Sequence, residues 1–133
     1  MKILYGTTNN GKLQAMKTAV KPLDIQLISL KDVEGELPSI NESGITPLDN
    51  AEIKARAYYD AFHMPVFSCD SGLYFDELKK EEQPGIHVRR VNGKELSDDE
   101  MIGYYASLAE KYGGKITGRY RNCLLYTSPS PRD

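Results

Sequence analysis

A polar segment near the amino end, from Gly6 to Lys12, has the sequence Gly-Thr-Thr-Asn-Asn-Gly-Lys. It lies between a short apolar run and an amphipathic run, which is the order of a strand, a loop and a helix. Backbone N–H groups at the start of a helix attract anions, because the helix dipole is positive there. We therefore predict that this loop binds a phosphate chain through its hydroxyl, amide, backbone and ammonium groups, which belong to Thr7, Thr8, Asn9, Asn10, Gly11 and Lys12.

The spacing Gly-x-x-x-x-Gly-Lys in this loop also matches most of a P-loop. A P-loop has Ser or Thr directly after the lysine, because that hydroxyl binds Mg²⁺. Here the residue is Leu13, which belongs to the apolar stripe of the following helix. The match to a P-loop therefore fails at the metal ligand. The simplest alternative is a polar loop that connects a strand to a helix and exposes its lysine.

Two acidic side chains could hold a metal beside a bound phosphate chain, since Mg²⁺ takes one or two carboxylates together with water and phosphate oxygens. Glu42 precedes a predicted helix that carries Lys54, a second cation for the phosphates. Asp70 follows the apolar run 66–69, which predicts a strand, and could also accept a proton from an attacking water. The alternative for Asp70 is a tight turn at Asp-Ser-Gly, with a returning strand at residues 73–75.

The apolar periodicity predicts strands that alternate with helices, and hence an α/β fold. The helix with the strongest signal has Thr46 as its N-cap, Pro47 at its first position and Asp49 completing a capping box. Its predicted apolar stripe is Leu48, Ala51, Ala55, Tyr58 and Phe62. Further strands are predicted at residues 2–5, 25–30 and 115–125. Two further helices are predicted, one with Leu13, Met16, Ala19 and Val20 inward and one, capped by Ser97, with Met101, Tyr104, Leu108 and Tyr112 inward.

The length and composition favour a single globular domain. The chain has 133 residues and a formal net charge of -2, so it offers no basic excess for binding a nucleic-acid polymer. No apolar run approaches the length of a membrane span. The two cysteines, Cys69 and Cys123, lack the spacing of a metal site and are predicted to be free thiols in the cytoplasm.

These residues resemble, in the same order along the chain, the motifs of the inosine triphosphate pyrophosphatase family, also called the dITP/XTP pyrophosphatases. The loop Thr7 to Lys12 is similar to the family's Thr-x-Asn-x-x-Lys. The later matches are Glu42-Ser43-Gly44-Ile45-Thr46, Asp49-Asn50-Ala51, Lys54-Ala55, Asp70-Ser71-Gly72-Leu73, and Pro84-Gly85-Ile86 with Arg90.

The resemblance implies an elongated mixed β-sheet flanked by helices, in two lobes with a central cleft, of which this chain would hold an incomplete part. It implies Mg²⁺-dependent hydrolysis of ITP, dITP and XTP to the monophosphate and pyrophosphate, and a homodimer. Asp70 would act in catalysis and would bind Mg²⁺ together with Glu42. The substrate would be bound by residues 7–12 together with Lys54, Ser71 and Arg90.

The chain departs from the family's pattern at several places. Cys69 stands where family members commonly have a second acid, and residues 87–89 replace the family's Tyr-Ser-Ala. The family's Phe-Gly-Tyr-Asp segment and its late Lys and His-Arg residues, which bind the base, have no counterpart. Residues 1–122 are therefore predicted to be the N-terminal part of one domain. Residues 123–133, which resemble a translated sequencing-adapter fragment, are predicted to be a non-native tail, and the chain alone is expected to be inactive.

Two alternative functions remain open at this point. A related Maf-type pyrophosphatase would prefer pyrimidine triphosphates, although the Thr-x-Asn-x-x-Lys loop and the Asp-Ser-Gly spacing favour the purine family. A nucleotide-binding module without turnover is the other alternative, because Cys69 and the missing base-binding segments depart from the enzyme's pattern.

Overall fold

The computed structural model describes residues 1–128. The strands within these residues are β1 (Lys2–Tyr5), β2 (Gln26–Ile28), β3 (Val66–Phe75), β4 (Arg90–Val91), β5 (Lys94–Glu95) and β6 (Gly118–Thr127). The helices are α1 (Asn10–Val20), α2 (Pro47–Phe62) and α3 (Asp98–Lys111), with short 3-10 helices at Leu30–Asp32 and Lys80–Glu82. The chain forms two compact units, the first from Met1 to Asp70 together with the described residues from Cys123 onward, the second from Ser71 to Asn122.

Strand β1 organises the first unit. The sheet order is β2-β1-β3-β6, and β1 runs parallel to both β2 and β3, with Leu4 opposite Ile28 on one side and Val66 on the other. Successive side chains of a strand point to opposite faces. Leu4 therefore packs on the face covered by Tyr58 of α2, while its neighbours Ile3 and Tyr5 pack on the other face against Leu13 of α1 and Phe67 of β3. The predicted α/β class, with a mixed sheet flanked by helices, is confirmed.

Helix α2 begins as predicted, but its buried face differs from the predicted stripe. Thr46 accepts a hydrogen bond from the backbone N–H of Asp49, and Asp49 accepts in return from that of Thr46, which completes the capping box. Leu48 was predicted to be inward, which is wrong, since 49% of its surface is exposed. The buried face starts one residue earlier, at Pro47, and includes the polar Asn50, which is 3% exposed. Successive residues of a helix are rotated by about 100° around its axis. Leu48 therefore lies at the margin of a face that is centred on residues 47, 51, 55 and 58.

The alternative of a turn at Asp70-Ser71-Gly72 is wrong. Strand β3 continues without interruption from Val66 to Phe75, so Asp70 lies within a strand and not at a strand end. Asp-Ser-Gly favours a turn only when no neighbouring strand binds its backbone. Here β1 and β6 flank β3 in the sheet, and Leu73 exchanges two backbone hydrogen bonds with Gly85. Pairing between distant residues therefore overrides the local turn preference.

The second unit contains a hairpin that the sequence analysis did not predict. Strands β4 and β5 pair antiparallel around Asn92 and Gly93, which have φ values of 51° and 78°. Two positive φ values are typical of a type I′ turn, for which Asn-Gly is the preferred sequence. Helix α3 is capped by Ser97 as predicted, but none of its residues is fully buried. Its predicted inward residues are half-buried.

Smaller differences concern the ends of elements. Helix α1 begins at Asn10 and exposes Ala19, which was predicted to be inward. Strand β6 ends at Thr127, two residues beyond the predicted Leu125. It includes residues 123–127 of the predicted non-native tail. Residues 129–133 lie outside the described part of the chain, so the predicted domain boundary stays a prediction. Within residues 1–128, no helix is long and apolar enough to cross a bilayer.

Substitution of a buried and of an exposed leucine by alanine tests the burial described for this fold. Leu4→Ala removes a side chain that is 0% exposed, so it should lower the free energy of unfolding by about 2–5 kcal/mol. Leu48→Ala should change it by less than about 0.5 kcal/mol, because Leu48 is at the surface. Urea unfolding followed by circular dichroism measures both. Equal losses at the two positions would contradict the burial described above.

Candidate functional site

The predicted phosphate loop is a tight connection between β1 and α1. The backbone N–H of Gly6 donates to the Phe67 carbonyl of β3 at 2.9 Å, and that of Thr7 donates to the Tyr5 carbonyl at 2.9 Å. The Thr7 hydroxyl oxygen accepts from the backbone N–H of Asn9 at 3.1 Å. Backbone and side-chain hydrogen bonds therefore hold the loop against the end of the sheet.

Asn9 forms the N-cap of α1. Its side-chain oxygen accepts from the backbone N–H of Lys12 at 3.0 Å, so the oxygen of this amide is already used by the helix. The N–H groups of Asn10 and Gly11, in the first turn, donate to no acceptor within residues 1–128. Unpaired N–H groups at the positive end of a helix are suited to an anion.

Gly6 is required because two side chains occupy the space around it. A Cβ atom at this position would lie 2.4 Å from the Ser68 hydroxyl oxygen and 2.6 Å from the Tyr58 ring. The Ser68 hydroxyl, which is completely buried, donates to the Gly6 carbonyl at 3.2 Å. The start of the phosphate loop is thus packed between β3 and α2.

Lys54 brings the two predicted carboxylates together. Its ammonium nitrogen lies 3.4 Å from Oε1 of Glu42 and 3.7 Å from Oδ1 of Asp70, and it donates to the Cys69 carbonyl at 2.8 Å. The Lys54 side chain is 13% exposed, and that of Asp70 is 18% exposed. One cation from α2 therefore faces two anions that come from a loop and from β3.

Helix α2 also positions the segment that carries Glu42. The side-chain oxygen of the buried Asn50 accepts from the backbone N–H of Gly44 at 2.8 Å. A Cβ atom at Gly44 would lie 2.5 Å from Cβ of Asp49, so the loop crosses close over the first turn of the helix. Asn50 and Lys54 are four residues apart and share a helix face. The same face therefore holds both the loop and the carboxylate of Glu42.

These groups line one open cleft of about 400 Å³ in the first unit. Seven of the predicted site residues line it, namely Thr7, Thr8, Asn9, Lys12, Glu42, Lys54 and Asp70. Asn10 instead lines a mainly apolar cavity of about 120 Å³ that shares Thr7, Thr8 and Asn9 with this cleft. The structure thus places Lys12 and Asp70 on the same cleft.

Two predicted substrate-binding residues, Ser71 and Arg90, belong to the second unit. The Ser71 hydroxyl donates to the side-chain oxygen of Asn122 at 2.6 Å. Arg90 donates to the Gly93 carbonyl at 3.0 Å and lines a cleft of that unit with His87 and Tyr104. Their predicted role in substrate binding stays a prediction.

Comparison with known proteins shows the family of this chain. The sequence model of the Ham1 family matches residues 3–133. The chain belongs to the Ham1 family. Among its relatives, a dITP/XTP pyrophosphatase of Oceanobacillus iheyensis is 36% identical over 101 residues, which cover 76% of this chain and 50% of the relative. Another, of Lactobacillus acidophilus, is 37% identical over an alignment that covers 96% of this chain and 63% of the relative. The family predicted from the motifs is therefore confirmed.

Solved structures of Ham1 proteins share the fold. The Staphylococcus aureus Ham1 protein matches with a TM-score of 0.76 and 25% identity over 97% of this chain and 64% of its own. The Coxiella burnetii protein matches with a TM-score of 0.76 and 27% identity over 98% of this chain and 66% of its own. The chain spans only about half the length of the first curated relatives that it matches.

The carboxylates of this Ham1-family cleft fit a metal that takes few protein ligands. Within the described residues, no three His, Cys, Asp or Glu side chains lie close enough together to hold a metal by themselves. Mg²⁺ is commonly bound by one or two carboxylates together with water and the phosphates of a substrate. Glu42 and Asp70 already face one cation, the Lys54 ammonium. This donor set therefore suits Mg²⁺ that binds together with a phosphate chain.

Burial affects two ionisable groups beside these charges. Burial, and then the negative charge of Glu42, raise the pKa of the Tyr58 phenol. Burial raises the pKa of the Cys69 thiol, although a hydrogen bond with Tyr5 and the charges of Lys12 and Lys54 act in the opposite direction. Both groups therefore keep their protons at neutral pH.

Tyr58 and Ser68 contact the phosphate loop but were not predicted as residues of this site. Tyr58 was interpreted as helix packing, yet it lines the cleft. A signal was present, since Asn50, Lys54 and Tyr58 are spaced by four residues and share one face of α2. Ser68 offered no such signal, because its contact with Gly6 joins residues 62 positions apart.

The raised pKa of Cys69 makes a pH-dependent prediction. Only the thiolate reacts with iodoacetamide, so a raised pKa moves alkylation of native Cys69 to a pH above the ordinary thiol value of about 8.5. A Cys123→Ser variant isolates the Cys69 signal, and mass spectrometry measures the alkylated fraction from pH 7 to pH 10. The same variant in urea is the control. Native and unfolded thiols that react alike at pH 8 would show that burial does not protect Cys69.

Proposed function

We propose that the protein containing this chain hydrolyses non-standard purine nucleoside triphosphates, such as ITP, dITP and XTP, to the monophosphate and pyrophosphate, with Mg²⁺ as the cofactor. One observation carries this proposal: the phosphate loop with Lys12 and the carboxylate of Asp70 line the same cleft. The names of the relatives from Oceanobacillus iheyensis and Lactobacillus acidophilus support the choice of substrate.

The phosphate loop would bind the outer phosphates. The free N–H groups of Asn10 and Gly11 and the ammonium of Lys12 offer hydrogen bonds and positive charge. These groups would offset the charge that builds up on the leaving pyrophosphate. Positioning and neutralisation of charge account for most of the rate of phosphoryl transfer, so a preformed anion site is a direct contribution to catalysis.

Glu42 and Asp70 would hold Mg²⁺ together with the phosphate oxygens. When bound, the metal supplies neutralisation of phosphate charge and makes a water easier to deprotonate. Lys54, now between the two carboxylates, is close enough to Asp70 to orient it. The ion pairs with Lys54 also hold Glu42 and Asp70 on the same cleft.

Asp70 would be the general base. Its carboxylate would accept the proton of a water as the water oxygen bonds to the α-phosphorus. The bond from that phosphorus to the oxygen of the β-phosphate would break, and pyrophosphate would leave beside Lys12. Because Asp70 lies within β3 and not in a turn, a hydrogen-bonded strand sets its position. Rigid placement of a reacting group is itself a source of rate.

The choice among bases would rest on the purine's 6-keto group. One mispaired buried hydrogen bond costs about 1–3 kcal/mol, and about 1.4 kcal/mol gives a tenfold difference. Several such contacts must therefore combine to reject ATP.

The homodimer and the cytoplasmic location that were predicted from the sequence stay predictions.

A substrate panel tests this function against both alternatives. The protein that contains this chain should release pyrophosphate from ITP, dITP and XTP faster than from ATP or UTP, and only with Mg²⁺. Pyrophosphate release is measured with a coupled phosphate assay. A preference for UTP would indicate the pyrimidine-specific enzyme. Saturable, Mg²⁺-dependent binding of ITP without any product would indicate a binding module.

Asp70→Asn tests the proposed base. The variant keeps the size of the side chain but cannot accept the proton, so turnover should fall by about 10²- to 10⁴-fold. Asp60→Asn is the matched control, because Asp60 is an exposed acid on α2 of the same unit. Its turnover should equal that of the unchanged protein. Unchanged turnover in Asp70→Asn would remove Asp70 from the catalytic role.

A further inference from the structure

Tyr58 is the one aromatic residue that both belongs to the buried core cluster on the α2 face of the first unit's sheet, as far as that unit is described, and lines its cleft. Only 5% of its surface is exposed, and its ring packs with Leu4, Leu30 and Val66. The ring also touches the start of the phosphate loop, since a Cβ atom at Gly6 would lie 2.6 Å from one ring carbon and 3.1 Å from the next. The phenol is thus fixed on three sides by β1, β3 and the loop.

The hydroxyl of Tyr58 is free to act in the cleft. It has no hydrogen-bond partner among residues 1–128, and those residues contain no fully buried side-chain oxygen or nitrogen without a partner. The hydroxyl must therefore be reached by solvent, and the cleft is the space that Tyr58 lines. This O–H group is therefore a hydrogen-bond donor that is held in place and has no acceptor among residues 1–128.

The groups around this donor indicate which kind of acceptor would fit beside it. Glu42, whose charge acts on the phenol, is engaged by the Lys54 ammonium at 3.4 Å. Apart from Pro38 and Ile40, the remaining lining consists of the loop Gly6 to Asn9, with its amide and hydroxyl donors, of Lys12, and of Asp70, whose carboxylate lies 3.7 Å from the Lys54 ammonium. Since both carboxylates lie beside this ammonium, the other polar groups are N–H, O–H and ammonium donors, which are suited to an anion with several oxygen acceptors. Among the groups of a nucleotide, that anion is the phosphate chain.

We propose that the Tyr58 hydroxyl donates a hydrogen bond to a non-bridging oxygen of the bound phosphate chain and thereby helps to position it beside Asp70. Tyr58 then serves two purposes, because its ring orders the loop and its hydroxyl contacts the ligand that the loop binds. The inference rests on the proposed function, since it needs a phosphate chain in this cleft.

Tyr58→Phe separates these two purposes, because it removes only the hydroxyl. The ligands are inorganic tripolyphosphate and a dITP analogue with an imido group between the α- and β-phosphorus atoms, which is not hydrolysed there. Isothermal titration calorimetry of the 133-residue chain, with Mg²⁺, measures both. A hydrogen bond to a charged acceptor is worth about tenfold or more in affinity. Both ligands should therefore bind about tenfold more weakly to Tyr58→Phe, while the thermal melting temperature changes little.

Tyr59→Phe is the matched control. Tyr59 is the next residue of α2, is half-buried against His63 and does not line the cleft. Its substitution should leave both affinities unchanged. A loss limited to the dITP analogue would overturn the inference, because the contact would then be to the nucleoside. Equal affinities of Tyr58→Phe and Tyr59→Phe would overturn it while leaving the proposed function in place. Failure of the unchanged chain to bind either ligand would count against the proposed function and against the inference together.

Discussion

The arrangement of the cleft depends on the ammonium of Lys54, which pairs with both of its carboxylates. Two carboxylates that share a small space repel each other. Lys54 lies within 3.7 Å of both Glu42 and Asp70, so it offsets that repulsion and keeps them on the same cleft.

The opposite wall of the cleft depends on the first turn of α1. Helix formation leaves its first N–H groups unpaired, and Asn9 uses its own side chain to satisfy only one of them. The N–H groups of Asn10 and Gly11 remain without an acceptor among residues 1–128. The hydrogen bond from Ser68 to Gly6 then holds the start of the loop, which packs closely against Ser68 and Tyr58. The proposed anion site would consequently be built from packed backbone, which would cost little reorganisation when a phosphate binds.

Much of this arrangement could be predicted from the sequence where neighbouring residues decide it. The strand at Lys2–Tyr5 and the capped start of α2 follow from local periodicity and capping chemistry. The Asn92-Gly93 hairpin also had a local signal, although it was missed. The predictions for Leu48 and for the turn at Asp70 were wrong because each depends on what packs or pairs from elsewhere in the chain. A turn propensity of one or two residues is weaker than a strand's hydrogen bonds to its neighbours.

The sequence by itself determined the donor-rich loop, the helix caps and the identity of the family. Each of these depends on short motifs, whose residues are close together along the chain. Only the tertiary structure decided that Glu42, Lys54 and Asp70 meet, that Asp70 lies inside β3, and that Tyr58 lines the cleft. The physical reason is that these outcomes depend on parallel pairing of β1 with β3 and on the rotation of α2 against the sheet. Neither the pairing of these strands nor the rotation of the helix can be predicted from a short stretch of sequence.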